Sequence, residues 1–124
     1  MVIVDTSVWV DSVRARDERL VEWMAADLVL QHPLVTAEFS MGSFRSAAER
    51  ARMIDLLESF EQVEVADFGQ FHAFVADRAL FGTGIGLVDA HLLQTCSANP
   101  HARLATRDKR LIAQAERLGI SLMN

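Results

Sequence analysis

Val2-Ile3-Val4-Asp5-Thr6-Ser7-Val8-Trp9 opens the chain with three β-branched residues closed by a carboxylate. An apolar run this short, with no polar alternation, reads as a strand buried on both faces, the kind found in parallel sheets. Thr6 or Ser7 then caps a short helix over Val8–Asp11. Moving outward, Leu20, Val21, Trp23 and Met24 mark an amphipathic helix and Leu28-Val29-Leu30 a second strand. Pro33 suits the first turn of a helix that runs to about Gly42. Helical spacing covers Ala47 to Leu57, Val63-Glu64-Val65 alternates like a strand, and Asp67 caps a helix carrying Phe68, Phe71, Phe74 and Val75. After the Gly82–Gly86 loop come a helix over Leu87–Ser97, a strand at Arg103-Leu104-Ala105 and a helix over Lys109–Leu118. Ile120 to Met123 adds an edge strand. Strands alternating with helices make an α/β domain with a central parallel sheet between helical layers. With 124 residues and no linker, repeat or low-complexity segment, the chain reads as one domain, 1–124.

Four carboxylates are out of place in that pattern. Asp5 closes the first strand, Glu38 interrupts an apolar helix between Leu34-Val35 and Phe39-Met41, Asp89 lies between Leu87-Val88 and Leu92-Leu93, and Asp108 follows Leu104-Ala105-Thr106. A carboxylate on an apolar face is costly unless its charge is compensated. In open parallel sheets ligands bind beyond the carboxyl ends of the strands, where Asp5 and Asp108 project. Asp89, Leu92, Leu93 and Cys96 follow helical spacing, so Asp89 points inward with its stripe. Taken singly, Asp108 reads equally well as a helix cap and Glu38 as an exposed helix residue, whereas Asp89 as only a first-turn acid favoured by the helix dipole and Asp5 as only the start of a turn are the weaker accounts. Gathered together, the four would repel one another unless a divalent cation compensated them, and oxygen ligands without sulfur or clustered imidazole select Mg²⁺ or Mn²⁺ over zinc. Such a site activates water for hydrolytic phosphate chemistry, with Thr6, Ser7 and Thr106 placed to orient the acids.

The composition bounds the function. Twelve basic and 17 acidic side chains leave a net charge of −5. If four acids hold metal, the remainder is near neutral, which admits a nucleic-acid substrate but argues against tight sequence-independent coating of DNA. The single cysteine, Cys96, excludes an internal disulfide, and no zinc spacing links it to His32, His72, His91 or His101. With no signal-peptide core before Asp5 and no apolar stretch of membrane length, the expected location is the cytoplasm, away from any membrane.

At these residues the chain resembles the PIN-domain ribonucleases and, within them, the VapC-type toxins of bacterial toxin–antitoxin pairs. The matching segments are Val4-Asp5-Thr6-Ser7-Val8-Trp9, His32-Pro33 through Glu38 to Gly42, Gly84-Ile85-Gly86-Leu87-Val88-Asp89-Ala90-His91-Leu92 and Leu104-Ala105-Thr106-Arg107-Asp108, in the family's order across nearly the whole chain. Ser40-Met41 departs from the more aliphatic pattern after Glu38 and leaves the acids untouched. The resemblance implies a three-layer α/β domain in which Asp5, Glu38, Asp89 and Asp108 are the catalytic, metal-binding set, with Thr6 and Thr106 as supporting hydroxyls. It also implies Mg²⁺- or Mn²⁺-dependent cleavage of RNA, an antitoxin protein that covers the site, and assembly as a homodimer or a toxin–antitoxin hetero-oligomer.

Arg107 and Lys109 flank Asp108 and are the expected RNA-phosphate contacts, with Arg110 beside them and Arg14, Arg16 and Arg19 as a second basic rim. A solvated helix start accounts for Lys109 and Arg110 equally well. His91 is expected to be structural. Trp9, Val13, Met41 and Phe44 outline an apolar groove for an antitoxin helix, with core packing the stronger expectation for Trp9. Two other readings are open: a non-catalytic module that binds RNA or protein, and an aspartate-based phosphatase. The second wants an acid where Ser7 stands.

Overall fold

A computed structural model of the protein describes residues 1–123. Its elements in chain order are β1 (Val2–Val4), α1 (Thr6–Arg14), α2 (Glu18–Ala25), β2 (Val29–Gln31), α3 (Pro33–Ser40), α4 (Ala47–Ser59), β3 (Glu61–Gln62), α5 (Phe68–Asp77), α6 (Leu87–Ala98), β4 (Arg103–Ala105) and α7 (Lys109–Arg117). The strands form one sheet in the order β3-β2-β1-β4, every pair parallel, with helical layers on its two faces. Ile3 pairs with Leu30 on one side and with Leu104 on the other.

The β1 side chains are buried on both faces, as the unbroken Val-Ile-Val run requires. Ile3, Trp9, Leu20, Leu57, Leu92, Leu93, Leu104 and Leu111 form the best-shielded part of the core. Trp9 belongs to it and stacks on Phe60 at 5.9 Å between ring centroids. The chain leaves β1 toward β2 and β3, then crosses back to place β4 on the other side of β1. The connections leaving β1 and β4 therefore diverge, and a crevice opens between them at the carboxyl ends of these strands.

Three local expectations are corrected. The third strand is Glu61–Gln62 and not Val63–Val65; it pairs with Leu30 and Gln31, and only the amide of Val63 still reaches the Gln31 carbonyl. An edge strand is held by its backbone, so the alternation of valines did not decide its position. Gln62 instead donates its side-chain amide to the carbonyls of Leu57 and Phe60, which fixes the chain where α4 ends. The first helix begins at Thr6, and its cap is Asp5 itself, not Thr6 or Ser7. Ile120–Met123 adds a single parallel bridge, Leu104 to Leu122, and no full strand.

Candidate active site: an acidic cleft

Four segments bring the four acids to one cleft of about 410 Å³, lined by Asp5, Glu38, Asp89 and Asp108 together with Thr6, Ser7, Val10, Asp11, Gly86 and Val88. Three of the acids arrive at helix N-termini. Asp5 caps α1 and accepts the Thr6 amide at 2.7 Å. Asp108 caps α7 and accepts the amides of Arg110 and Leu111. Asp89 lies in the first turn of α6. Three positive helix ends therefore converge on the cleft and offset part of its negative charge. Capping and site-building are not rival roles for Asp5 and Asp108, because the cap turns the carboxylate toward the cleft. Glu38 comes from the last turns of α3, where no such dipole favours it, and it is exposed.

Asp5 is buried and is the anchor of the site. Its Oδ2 accepts from Ser7 Oγ at 2.8 Å and from Thr106 Oγ1 at 2.7 Å. Both hydroxyls have their protons committed to Asp5, because each accepts a backbone amide from the loop after β4. The Arg107 amide donates to Ser7 Oγ and the Asp108 amide to Thr106 Oγ1. One carboxylate oxygen thus holds β1, α1 and the segment that carries Asp108 in register. Thr106 thus meets Asp5 directly, whereas the Thr6 hydroxyl is buried without a partner among the described residues, and Ser7 stands beside Asp5.

Asp89 shows how closely the acids approach. Burial, and then the charges of Asp5, Asp108 and Glu38, push its carboxyl from the ordinary 3.8 up to about 7, against a smaller lowering by the backbone at Gly86. A carboxyl that holds its proton more firmly in the folded chain than in the unfolded one stabilises the fold fully at low pH and loses that contribution as pH rises through 7. The stability gap between Asp89→Asn and the parent, both metal-free, is expected to widen in the variant's favour from about pH 4 to 7 and to level off above. His32 and His91 are buried with pKa values lowered by desolvation and contribute with the opposite sign, but they are common to both proteins and cancel. Because Asp89 is half-buried, the gap is trimmed to the order of 1 kcal/mol. Urea melts at pH 4.5 and 8 measure it, and a gap that is flat with pH contradicts the arrangement.

Donor chemistry in the cleft fits a hard divalent cation: five carboxylates, Asp11 among them, neighbouring hydroxyls, and among the described residues no sulfur or imidazole on its walls. The acids ring the cleft without closing on one point, and no group of three or more His, Cys, Asp or Glu side chains among the described residues forms a ready-made metal cage.

Of the basic residues, Lys109 and Arg110 are exposed at the start of α7, and Arg110 Nη1 reaches the carbonyl of Gly84 at 3.4 Å. Gly84 has a φ of +86°, which a side chain would strain. Arg107 is paired within the fold. Its two terminal nitrogens are held by Asp11 and Asp17, two acids not foreseen near it. Asp11 also lines the cleft, as a fifth carboxylate. The signal in the sequence was spacing: Ser7 and Asp11 are four apart on α1 and so share a face beside Asp5. His91 is buried and stacked on Phe71 with centroids 4.0 Å apart. Among the described residues no helix is long and apolar enough to cross a membrane.

The comparisons with known proteins agree with this architecture. The chain is 42% identical over 122 residues to Ribonuclease VapC32 of Mycobacterium tuberculosis, a match covering 98% of this chain and 96% of that protein. Two solved structures share the fold at 18% identity. The crystal structure of PAE2754 from Pyrobaculum aerophilum matches with a TM-score of 0.66, covering 91% of this chain and 78% of that one. That of FitAcB from Neisseria gonorrhoeae matches with a TM-score of 0.65, covering 100% and 97%. The PIN domain family matches residues 2–120, and with the relative covering nearly its full length, the chain belongs to the PIN-domain family.

Proposed function

We propose that this chain is a Mg²⁺- or Mn²⁺-dependent endoribonuclease, the toxin of a type II toxin–antitoxin pair acting in the cytoplasm. The observation that carries the reading is the convergence of Asp5, Glu38, Asp89 and Asp108 on one cleft, close enough for three of them to raise the carboxyl of the fourth. The likeness to Ribonuclease VapC32 supports RNA as the substrate. A divalent cation bound by these acids would supply an acidified water and offset the charge on a phosphate oxygen. The chain's own part is to hold the acids. Asp5 is fixed by Ser7 and Thr106, Asp108 by its cap on α7, and Asp89 by the first turn of α6. Lys109 and Arg110 stand exposed beside Asp108, where RNA phosphates flanking the cut would pass. In this reading an antitoxin silences the enzyme by covering the cleft, using the adjoining apolar groove of Val10, Val13, Phe39 and Phe44.

Metal binding and cleavage are tested together. Thermal unfolding at pH 8 is expected to shift upward with Mn²⁺ or Mg²⁺. At a hundredfold excess over the dissociation constant the ligand contributes about 2.7 kcal/mol, which corresponds to a shift on the order of 10 °C in a domain of this size. Mixed RNA incubated with the same protein should be cut internally only when the metal is present. An unchanged melting temperature together with uncut RNA would favour the non-catalytic binding module instead.

A further inference from the structure

Among the described residues, Asp11 is the one acid on the wall of the cleft whose charge is cancelled from outside it. Its Oδ2 receives Arg107 Nη1 at 2.5 Å, and Arg107 Nη2 reaches Asp17 Oδ2 at 2.8 Å. Asp17 is itself fixed, because its Oδ1 caps α2 through the amides of Arg19 and Leu20. The planar guanidinium is therefore pinned between two helices in the two-pronged geometry that distinguishes a held arginine from an ordinary surface pair. Asp11 and Arg107 remain about half exposed. Holding the loop after β4 does not require this side chain, since the Arg107 backbone amide on Ser7 and the Asp108 amide on Thr106 do so.

We infer that Arg107 is a positioning residue that withholds Asp11 from the metal-binding set. It leaves the cleft with four acids able to act, and it keeps the cation away from the α1 wall. The inference rests on the ribonuclease reading of the cleft for its catalytic consequence, but not for its effect on metal binding. Arg107→Ala removes one positive charge and frees one carboxylate facing the cleft, so a cation should bind more tightly and in the wrong place. Asp11→Asn in the Arg107→Ala background takes that carboxylate away again. Arg107→Lys keeps the charge beside Asp11.

The full chain and these three variants can be titrated with Mn²⁺ alone by calorimetry at pH 7.5, and their RNA cleavage compared as kcat and KM. Expected results are a Kd for Mn²⁺ about five- to tenfold lower in Arg107→Ala, the size of one nearby charge acting on a divalent ion. The double variant and Arg107→Lys should return to within about twofold of the parent. The kcat should fall at least about tenfold in Arg107→Ala and recover in the double variant, with KM changed less than about threefold. Unchanged or weaker Mn²⁺ binding in Arg107→Ala, or no reversal by Asp11→Asn, overturns the inference. A rise in KM that Asp11→Asn does not repair also overturns it, and makes Arg107 a phosphate contact. If the parent cuts no RNA while the Mn²⁺ pattern holds, the ribonuclease reading fails and the withholding of Asp11 stands.

Discussion

Asp89→Asn is expected to lower RNA cleavage by more than about a hundredfold, beyond what residues that merely support a metal ligand usually cost, while making the metal-free protein more stable at pH 8. The two effects share one cause. Without metal the Asp89 carboxylate is partly removed from water and repelled by Asp5, Asp108 and Glu38, so its ionisation is resisted up to about pH 7. Asparagine is nearly isosteric, stays neutral, and removes that conflict along with the ligand. Asp5→Asn should be equally inactive but should lose stability, because Asp5 is buried and three donors converge on it. An amide has a single acceptor oxygen, so it can serve the Ser7 and Thr106 hydroxyls or the Thr6 amide but not both sides, and the hydroxyl protons cannot turn elsewhere without giving up the amides of Arg107 and Asp108. The loss should be about 1–3 kcal/mol, the usual range for a buried hydrogen-bonding group left without its partner. Cleavage rates in Mn²⁺ and melts in chelator at pH 8 check both variants. If Asp89→Asn cuts like the parent, or if it is destabilised as Asp5→Asn is, the acids are not a mutually repelling metal site.

The four acids were legible because each breaks an apolar pattern, and a pattern of that kind is a local property of the chain. Asp5 and Asp108 could be placed at one sheet edge because β1 and β4 are short buried runs that end just before them. What the sequence did not disclose depends on contacts between distant segments. Arg107 and its partners Asp11 and Asp17 lie 96 and 90 positions apart, so Arg107 read as a free cation beside Asp108 when the fold holds it in an ion triad. Thr6 and Ser7 are neighbours of the same chemical type, and only the turn from β1 into α1 selects Ser7, two residues on from the cap, to face Asp5. Val63-Glu64-Val65 failed as a strand for a related reason. Its alternation is real, but an edge strand needs only backbone pairing, and Gln62 fixes the chain earlier.

Leu104→Ala is expected to destabilise the protein by about 3–4 kcal/mol, lowering the melting temperature by roughly 10–20 °C, without slowing the enzyme that remains folded. Leu104 is fully buried in β4, paired with Ile3 of β1 and bridged on its other side to Leu122. Truncation leaves a void that the sheet cannot close, because backbone hydrogen bonds fix both of its neighbours: the Leu104 amide donates to the carbonyl of Ser121, and the Leu104 carbonyl accepts from the Met123 amide. Yet β4 directs Thr106 and Asp108 by its backbone course, and the hydroxyl network around Asp5 passes through no atom of the Leu104 side chain. Cleavage per folded molecule, measured about 20 °C below the lowered midpoint, should stay within about twofold of the parent. This is the opposite signature to Asp89→Asn, where activity goes and stability is kept. A fall in cleavage with the protein still folded would mean that the core sets the geometry of the acids directly. The division between a buried sheet that fixes strand ends and polar bonds that aim the carboxylates would then be wrong.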